Sequence, residues 1–226
     1  MRSIFSKIAL LAVFGFALTF TFSCSGGDDD GGGNSSGSNS GGTSSPSSGG
    51  GSCNISSYKY KKMPDGKTWM TENLNCKVAG SECNGKEESN CNTYGRLYTW
   101  EAAKKACSGG WHLPSDDEWD ALDTSVGGSL TAGKHLKAKE GWNSCGPTGS
   151  GESYSCEDTY GFSALPGGDG NSDGSFYYVG KSGHWWTATE SNAFNAYGRD
   201  MDYHKAYVGR GLYEKVYFFS VRCVQD

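Results

Sequence analysis

The sequence predicts a disulfide-stabilised α+β domain, with two short helices early and a late, mainly antiparallel, loop-rich sheet. Helical periodicity is confined to two segments between Thr99 and Val126. Beyond Gly127-Gly128 it disappears, and short aromatic runs alternate with stretches of Gly, Asn and Asp. Cysteines lie at 53, 76, 83, 91, 107, 145, 156 and 223, an even number in a chain that also carries an export signal. That argues for four disulfides.

The export signal opens the chain. Arg2 and Lys7 precede a largely apolar run from Ile8 to Phe22, and a polar tract starts directly after Cys24. This order reads as a secretory signal peptide over residues 1–23, because the 15-residue run is shorter than the roughly 20 residues that span a bilayer. Thr21-Phe22-Ser23-Cys24 resembles a bacterial lipobox, with Thr21 where an aliphatic residue is usual. The resemblance implies that Cys24 is diacylated and becomes the mature N-terminus. An ordinary secreted protein cleaved beside a cysteine is the competing reading.

Residues 24–52 form the expected lipid-anchored linker, almost entirely Ser, Gly, Asn and Asp, which cannot bury enough apolar surface to offset its ordering entropy. Such a chain has a typical end-to-end reach of about 30 Å. Asp28-Asp29-Asp30 resembles acidic sorting signals that carry lipoproteins to the cell exterior in some Gram-negative bacteria; a solvated piece of linker explains it as well. The expected address is therefore the cell envelope, as an outer-membrane lipoprotein exposed at the surface, with the membrane engaged through the lipid. Removing Arg2 and Lys7 takes the formal charge from −5 to −7, which excludes nucleic acid as a natural partner.

The folded domain is expected over residues 53–226. Tyr58 to Met63 and Lys67 to Asn73 flank Pro64-Asp65-Gly66, whose turn chemistry predicts a hairpin. Trp100 to Cys107 reads as a short helix with Thr99 as its cap. The second helix is marked by the capping box Ser115-Asp116-Asp117-Glu118, by Trp119, Leu122 and Val126 at helical spacing, and by the Gly127-Gly128 stop. Ser175 to Val179, His184 to Thr189, Ala196 to Tyr203 and Val216 to Val224 read as short strands.

Cysteine spacing suggests two local bridges. Cys83 and Cys91 bracket one polar loop, and Cys145 and Cys156 bracket another containing Gly146, Pro147, Gly149 and Gly151. In the chain-entropy account a bridge closing about ten residues contributes nearly 3 kcal/mol, and one closing about a hundred nearly 5. Zinc is the competing use, but no Cys-x-x-Cys pair occurs and the four histidines are scattered.

Tyr94-Gly95-Arg96-Leu97-Tyr98-Thr99-Trp100-Glu101-Ala102-Ala103 runs on to Gly110-Trp111-His112-Leu113-Pro114-Ser115-Asp116-Asp117-Glu118-Trp119. With Gly161-Phe162-Ser163-Ala164-Leu165-Pro166-Gly167-Gly168, Trp186-Thr187-Ala188-Thr189-Glu190 and Phe219-Ser220-Val221-Arg222-Cys223-Val224, this closely resembles the Fibrobacter succinogenes major paralogous domain. The resemblance implies a C-type-lectin-like fold, shared with formylglycine-generating (sulfatase-modifying) enzymes. It also implies a bridge from Cys107 to Cys223, which leaves Cys53 to Cys76. It implies no activity, since members are exported and of unknown biochemical role.

The enzyme relatives use a late, closely spaced cysteine pair for copper, and no cysteine stands between Cys156 and Cys223. His112, His135, His184 and His204 lack an adjacent nucleophile motif, so no catalytic residue is assigned and no enzyme activity is expected. Asp169-Gly170-Asn171-Ser172-Asp173-Gly174 matches the first half of a calcium loop, making Asp169, Asn171 and Asp173 candidate ligands of a structural Ca²⁺. Gly180 stands where the loop's bidentate glutamate belongs, and such a segment also arises simply to connect strands. The lectin triplets Glu-Pro-Asn, Gln-Pro-Asp and Trp-Asn-Asp are absent, Trp142-Asn143-Ser144 coming nearest.

Aromatics make up 13% of the chain. Trp185, Trp186, Tyr197, Tyr203, Tyr207 and Tyr213 sit in runs whose alternate side chains face opposite ways. Trp185, Tyr197, Tyr203 and Tyr207 are the candidate ligand contacts, since exposed rings stack on sugars or anchor partners. The expected role is recognition or adhesion with a polysaccharide or surface-protein ligand, against a structural envelope protein without a specific ligand and, third, an oxygen-dependent enzyme of the formylglycine-generating kind.

Overall fold

A computed structural model describes residues 53–145 and 156–226. The segments expected as signal peptide and linker, Cys24 with them, and the middle of the Cys145–Cys156 loop lie outside the described residues. In chain order the elements are β1 (Tyr60–Lys62), β2 (Thr68–Met70), β3 (Ser81–Glu82), α1 (Glu88–Tyr94), β4 (Leu97–Tyr98), α2 (Trp100–Ala106), α3 (Asp116–Ser125) and α4 (Ala132–Leu136). They continue with β5 (Asp169–Gly170), β6 (Phe176–Tyr177), β7 (Ser182–Glu190), β8 (Asn195–Asp202), β9 (Gly209–Glu214) and β10 (Val224–Gln225). The class is α+β, with every strand pair of the four sheets antiparallel.

The first hairpin forms because its turn satisfies itself. Asp65 Oδ1 accepts from the Lys67 amide at 3.0 Å, and Oδ2 accepts from the Trp69 indole at 2.8 Å. β10 then pairs with β2, so the end of the chain closes a β1-β2-β10 sheet against its beginning. α3 starts on the capping box read from sequence: Ser115 Oγ accepts from the Glu118 amide, and Glu118 Oε2 accepts from the Ser115 amide at 2.7 Å.

The main sheet runs β7-β8-β9, and its pleat divides the core. Trp185 and Trp186 are consecutive on β7, so they point to opposite faces. Trp186 enters one cluster, stacked on Phe219 at 4.4 Å and donating to the Tyr98 carbonyl at 2.7 Å. Trp185 enters the other, where Trp69, Trp119 and Phe162 form an edge-on triad with centroids 5.1 to 5.9 Å apart. Burying a ring of this size stabilises by about 2–3 kcal/mol, and offset or edge-on pairing adds about 1.

Two buried polar networks lock these layers. Arg222 is fully buried and donates to Asn73 Oδ1 at 2.7 Å, to the Met70 and Phe162 carbonyls at 3.0 and 2.7 Å, and to the Ser163 carbonyl at 2.6 Å. On the other side Arg199 of β8 pins α3, reaching Asp116 at 2.6 Å, Asp120 at 2.8 Å and Asp123 at 3.5 Å. Four disulfides complete the frame: Cys53–Cys76, Cys83–Cys91, Cys107–Cys223 and Cys145–Cys156. Both core clusters and all four bridges lie within residues 53–226, so this part of the chain carries its own hydrophobic core, as a domain able to fold alone does.

Three local expectations need correction. The Cys83–Cys91 segment carries a 3₁₀ turn (Asn84–Lys86) and most of α1, and α4 is a further helix; both are too short and polar to show periodicity. β9 was not expected, because Gly209 and Gly211 mask a strand whose pairing is tertiary. Val216 to Val224 is not one strand: it threads between elements and makes single bridges at Phe218, Phe219, Ser220 and Val224.

Candidate binding site

A cavity of about 370 Å³ opens where α1 ends beside the chain leaving β2. Its walls are Tyr58 and Tyr94, with Glu72, Asn75, Asn92 and Thr93 supplying carboxylate, amide and hydroxyl groups. α1 delivers Asn92, Thr93 and Tyr94 together because it terminates at Gly95, whose amide bonds back to the Cys91 carbonyl at 2.9 Å. Gly95 is required twice over. Its φ is +81°, and a Cβ there would stand 2.7 Å from Asn73 Cβ.

The floor is Asn73, buried and committed on both ends of its amide. Oδ1 accepts from Trp185 Nε1 at 3.0 Å and from Arg222, while Nδ2 donates to the Tyr94 carbonyl at 2.8 Å. The rim is also held: the Tyr58 hydroxyl accepts from the Asn75 amide at 3.0 Å, and Glu72 pairs with Lys59 at 2.8 Å. Burial pushes the Glu72 carboxyl up, but hydrogen bonds from Lys59 outweigh it and hold the group below its ordinary value. The cavity is thus a preformed, mostly uncharged hydrogen-bonding recess flanked by two tyrosine rings.

The residues singled out from sequence fall elsewhere. Trp185 is no ligand contact: it is wholly buried, because its position on the pleat points it at Trp119 and its indole N–H is held by Asn73. Tyr197 is half-buried beneath the Arg210 guanidinium, 4.0 Å from its ring centre. Tyr203 is half-buried against the second core cluster, and Tyr207 is exposed beside the Lys205 ammonium. The segment carrying Tyr203 and Tyr207 rests on the buried Lys137, whose ammonium donates to the Asp202 and Lys205 carbonyls at 2.9 and 2.7 Å.

The candidate calcium segment is a hairpin connection between β5 and β6. Asp173 Oδ1 accepts from the Ser175 amide at 2.8 Å, closing the turn, while Asp169 Oδ1 lies 3.8 Å from His184 Nδ1. Asp173 is thus committed to its own turn, whereas Asp169 Oδ1 and His184 Nδ1 are buried without a hydrogen-bond partner among the described residues. Two other clusters gather metal-type donors among the described residues. In one, Cys83 and Cys91 are already bonded to each other. In the other, Lys67 occupies the cation position, bonded to Asp226 and 3.1 Å from Glu118, which in turn holds His112 at 2.8 Å.

The family model for the Fibrobacter succinogenes major domain matches residues 65–225. The chain belongs to that family. No curated protein and no solved structure matches it. The Fibrobacter succinogenes major domain includes every cavity residue except Tyr58, which precedes the matched segment. Of the cavity, Tyr94, Gly95 and Leu165 stand in the motifs that carry the family resemblance, but nothing in those motifs marks them as lining a recess. Asn73, Asn75, Asn92 and Thr93 carried no local signal, since an amide in a polar segment looks the same whether it lines a recess or faces water.

Proposed function

We propose that this protein is a recognition module that binds a saccharide unit in the cavity between Tyr58 and Tyr94, displayed from the cell envelope on a lipid-anchored tether. The cavity lining carries the proposal. Sugars offer hydroxyl groups to amides and carboxylates and apolar C–H faces to aromatic rings, and the recess presents both in about 370 Å³, at the small end of ligand pockets. The rigid Asn73 floor keeps those groups in place before binding, which limits the ordering cost of a small ligand.

The anchor and address rest on Cys24, the preceding apolar run and the linker, so the reading is of an outer-membrane lipoprotein facing outward. Two acyl chains hold such a domain durably, whereas one gives marginal binding. A C-type-lectin-like ancestry is compatible with the α+β class, the Cys107–Cys223 bridge and the late antiparallel sheet. No catalysis is proposed.

The test is a polysaccharide and glycan panel probed with residues 53–226 under oxidising conditions, with calcium and with chelator. Binding that Tyr94→Ala and Asn92→Ala abolish while the fold is retained is the expected result. Uniform failure across the panel defeats the saccharide reading. Cys24→Ala separately tests the anchor: unchanged membrane partitioning would end that part of the proposal.

A further inference from the structure

β9 is the outer strand of the β7-β8-β9 sheet, and its edge, unpaired among the described residues, is self-complementary. Lys215 continues the β8–β9 register by donating to the Phe194 carbonyl at 2.9 Å. Backbone direction alternates along a strand, so Tyr213, Gly211 and Gly209 also bond towards β8. Arg210, Leu212 and Glu214 therefore aim their N–H and C=O groups at the open edge. Consistent with this, the Glu214 carbonyl accepts from the Tyr217 amide beyond the strand.

The same three residues are exposed, and they are arranged charge, apolar, charge. Leu212 is 54% exposed, more than an aliphatic side chain inside a strand needs to be, and Val216 and Phe194 beyond the strand end are 51% and 78% exposed. Arg210 holds Asp116 through Nε and Nη2 and lies over the Tyr197 ring, with about half of its side chain still exposed at the edge. Glu214 makes no ion pair among the described residues. No proline and no lysine protects the edge between Gly209 and Glu214.

We infer that two copies of this chain pair antiparallel through β9, about a two-fold axis at Leu212. In that register Leu212 meets Leu212 of the second copy, and Arg210 of each copy lies opposite Glu214 of the other. Shifting the register by two residues breaks both charge pairs and sets Leu212 opposite a charge, so the charged ends specify one alignment. Pairing joins two three-stranded sheets into one of six: the Leu212 N–H and C=O groups exchange bonds across the axis and each Glu214 N–H meets the Arg210 carbonyl of the other copy, while the Glu214 carbonyl stays with the Tyr217 amide. A contact of one strand edge is below the roughly 1,200 Å² of a standard interface, so the dimer is weak and concentration-dependent.

The test uses residues 53–226 in sedimentation velocity over rising concentration. The mass should move towards twice that of the monomer, and Leu212→Lys and Glu214→Arg should each remain monomeric. Both sites are exposed, so thermal unfolding of the variants should match the parent, which separates lost pairing from lost folding. Leu212→Cys, treated with a short bismaleimide, should give a covalent dimer, because opposed residues stand about 5.5 Å apart. Val216→Cys should not, since the two-fold carries its copies to opposite ends of the joined strands. A parent that stays monomeric, or equal crosslinking at 212 and 216, overturns the inference.

Discussion

Asn73 Oδ1 accepts a hydrogen bond from Arg222 Nε at 2.7 Å across 149 residues of chain. The contact joins the strand that leaves β2 to the segment that enters β10, under the floor of the cavity. Burial holds the Arg222 guanidinium at a pKa of about 9, with Asp158 and Glu72 opposing the fall. Its direct partners are an amide and three carbonyl oxygens. Asn73→Ala removes one of the four and also orphans the Trp185 indole and the Tyr94 carbonyl. The expected loss is about 3 kcal/mol or more in urea denaturation under non-reducing conditions, because buried charged and polar donors are left unpaired. A loss within surface-mutation size would show that water replaces Asn73.

Lys137 makes stability rise with pH in the alkaline range. Burial lowers its pKa from 10.5 to about 8, against an opposing pull from Asp202. Between those values the unfolded chain binds the proton and the folded chain does not, so the slope is positive. Lys137→Met lacks this dependence. The stability of the parent relative to the variant should grow by up to about 3 kcal/mol across the window, measured as denaturation midpoints at successive pH.

Asp123 acts in the opposite sense. Burial raises its carboxyl to about 7, Arg199 opposing and Asp120 and Asp116 adding to the rise, and its Oδ1 has no hydrogen-bond partner among the described residues. Stability from the protonated group is fully present below the ordinary value near 4 and is lost as pH rises through about 7. Asp123→Asn should therefore match the parent in acid and exceed it by about 1–4 kcal/mol above neutrality. Equal pH profiles for the two proteins would show that Arg199 keeps Asp123 ionised throughout.

The bridges should rank by loop length. Cys107–Cys223 spans 116 residues and Cys83–Cys91 spans 8. Replacing each pair by alanine should cost about 5 and about 2.5 kcal/mol respectively, if constraint of the unfolded chain dominates. The reverse order, read from calorimetric midpoints, would place the effect in native packing around α1 instead.

Where structure follows from neighbours in the chain, the sequence was sufficient. The Asp65 turn, the Ser115–Glu118 capping box, α2 and the short bridge at Cys83–Cys91 depend on contacts within a few residues, and each stands where its residues indicate. The acidic balance is likewise a property of composition. What periodicity does not carry is which face of a strand meets which layer. Adjacent tryptophans on β7 had to enter opposite cores, and only packing decided that Trp185 was lost to ligand contact. β9 exists because β8 supplies its hydrogen bonds, despite two glycines that weaken any local preference. The cavity exists because Asn73, Tyr94 and Arg222, distant in sequence, satisfy one another's polar groups in the interior. Burial and complementarity are sums over such distant contacts, so the amino-acid order determined the elements, and the tertiary structure alone decided the site.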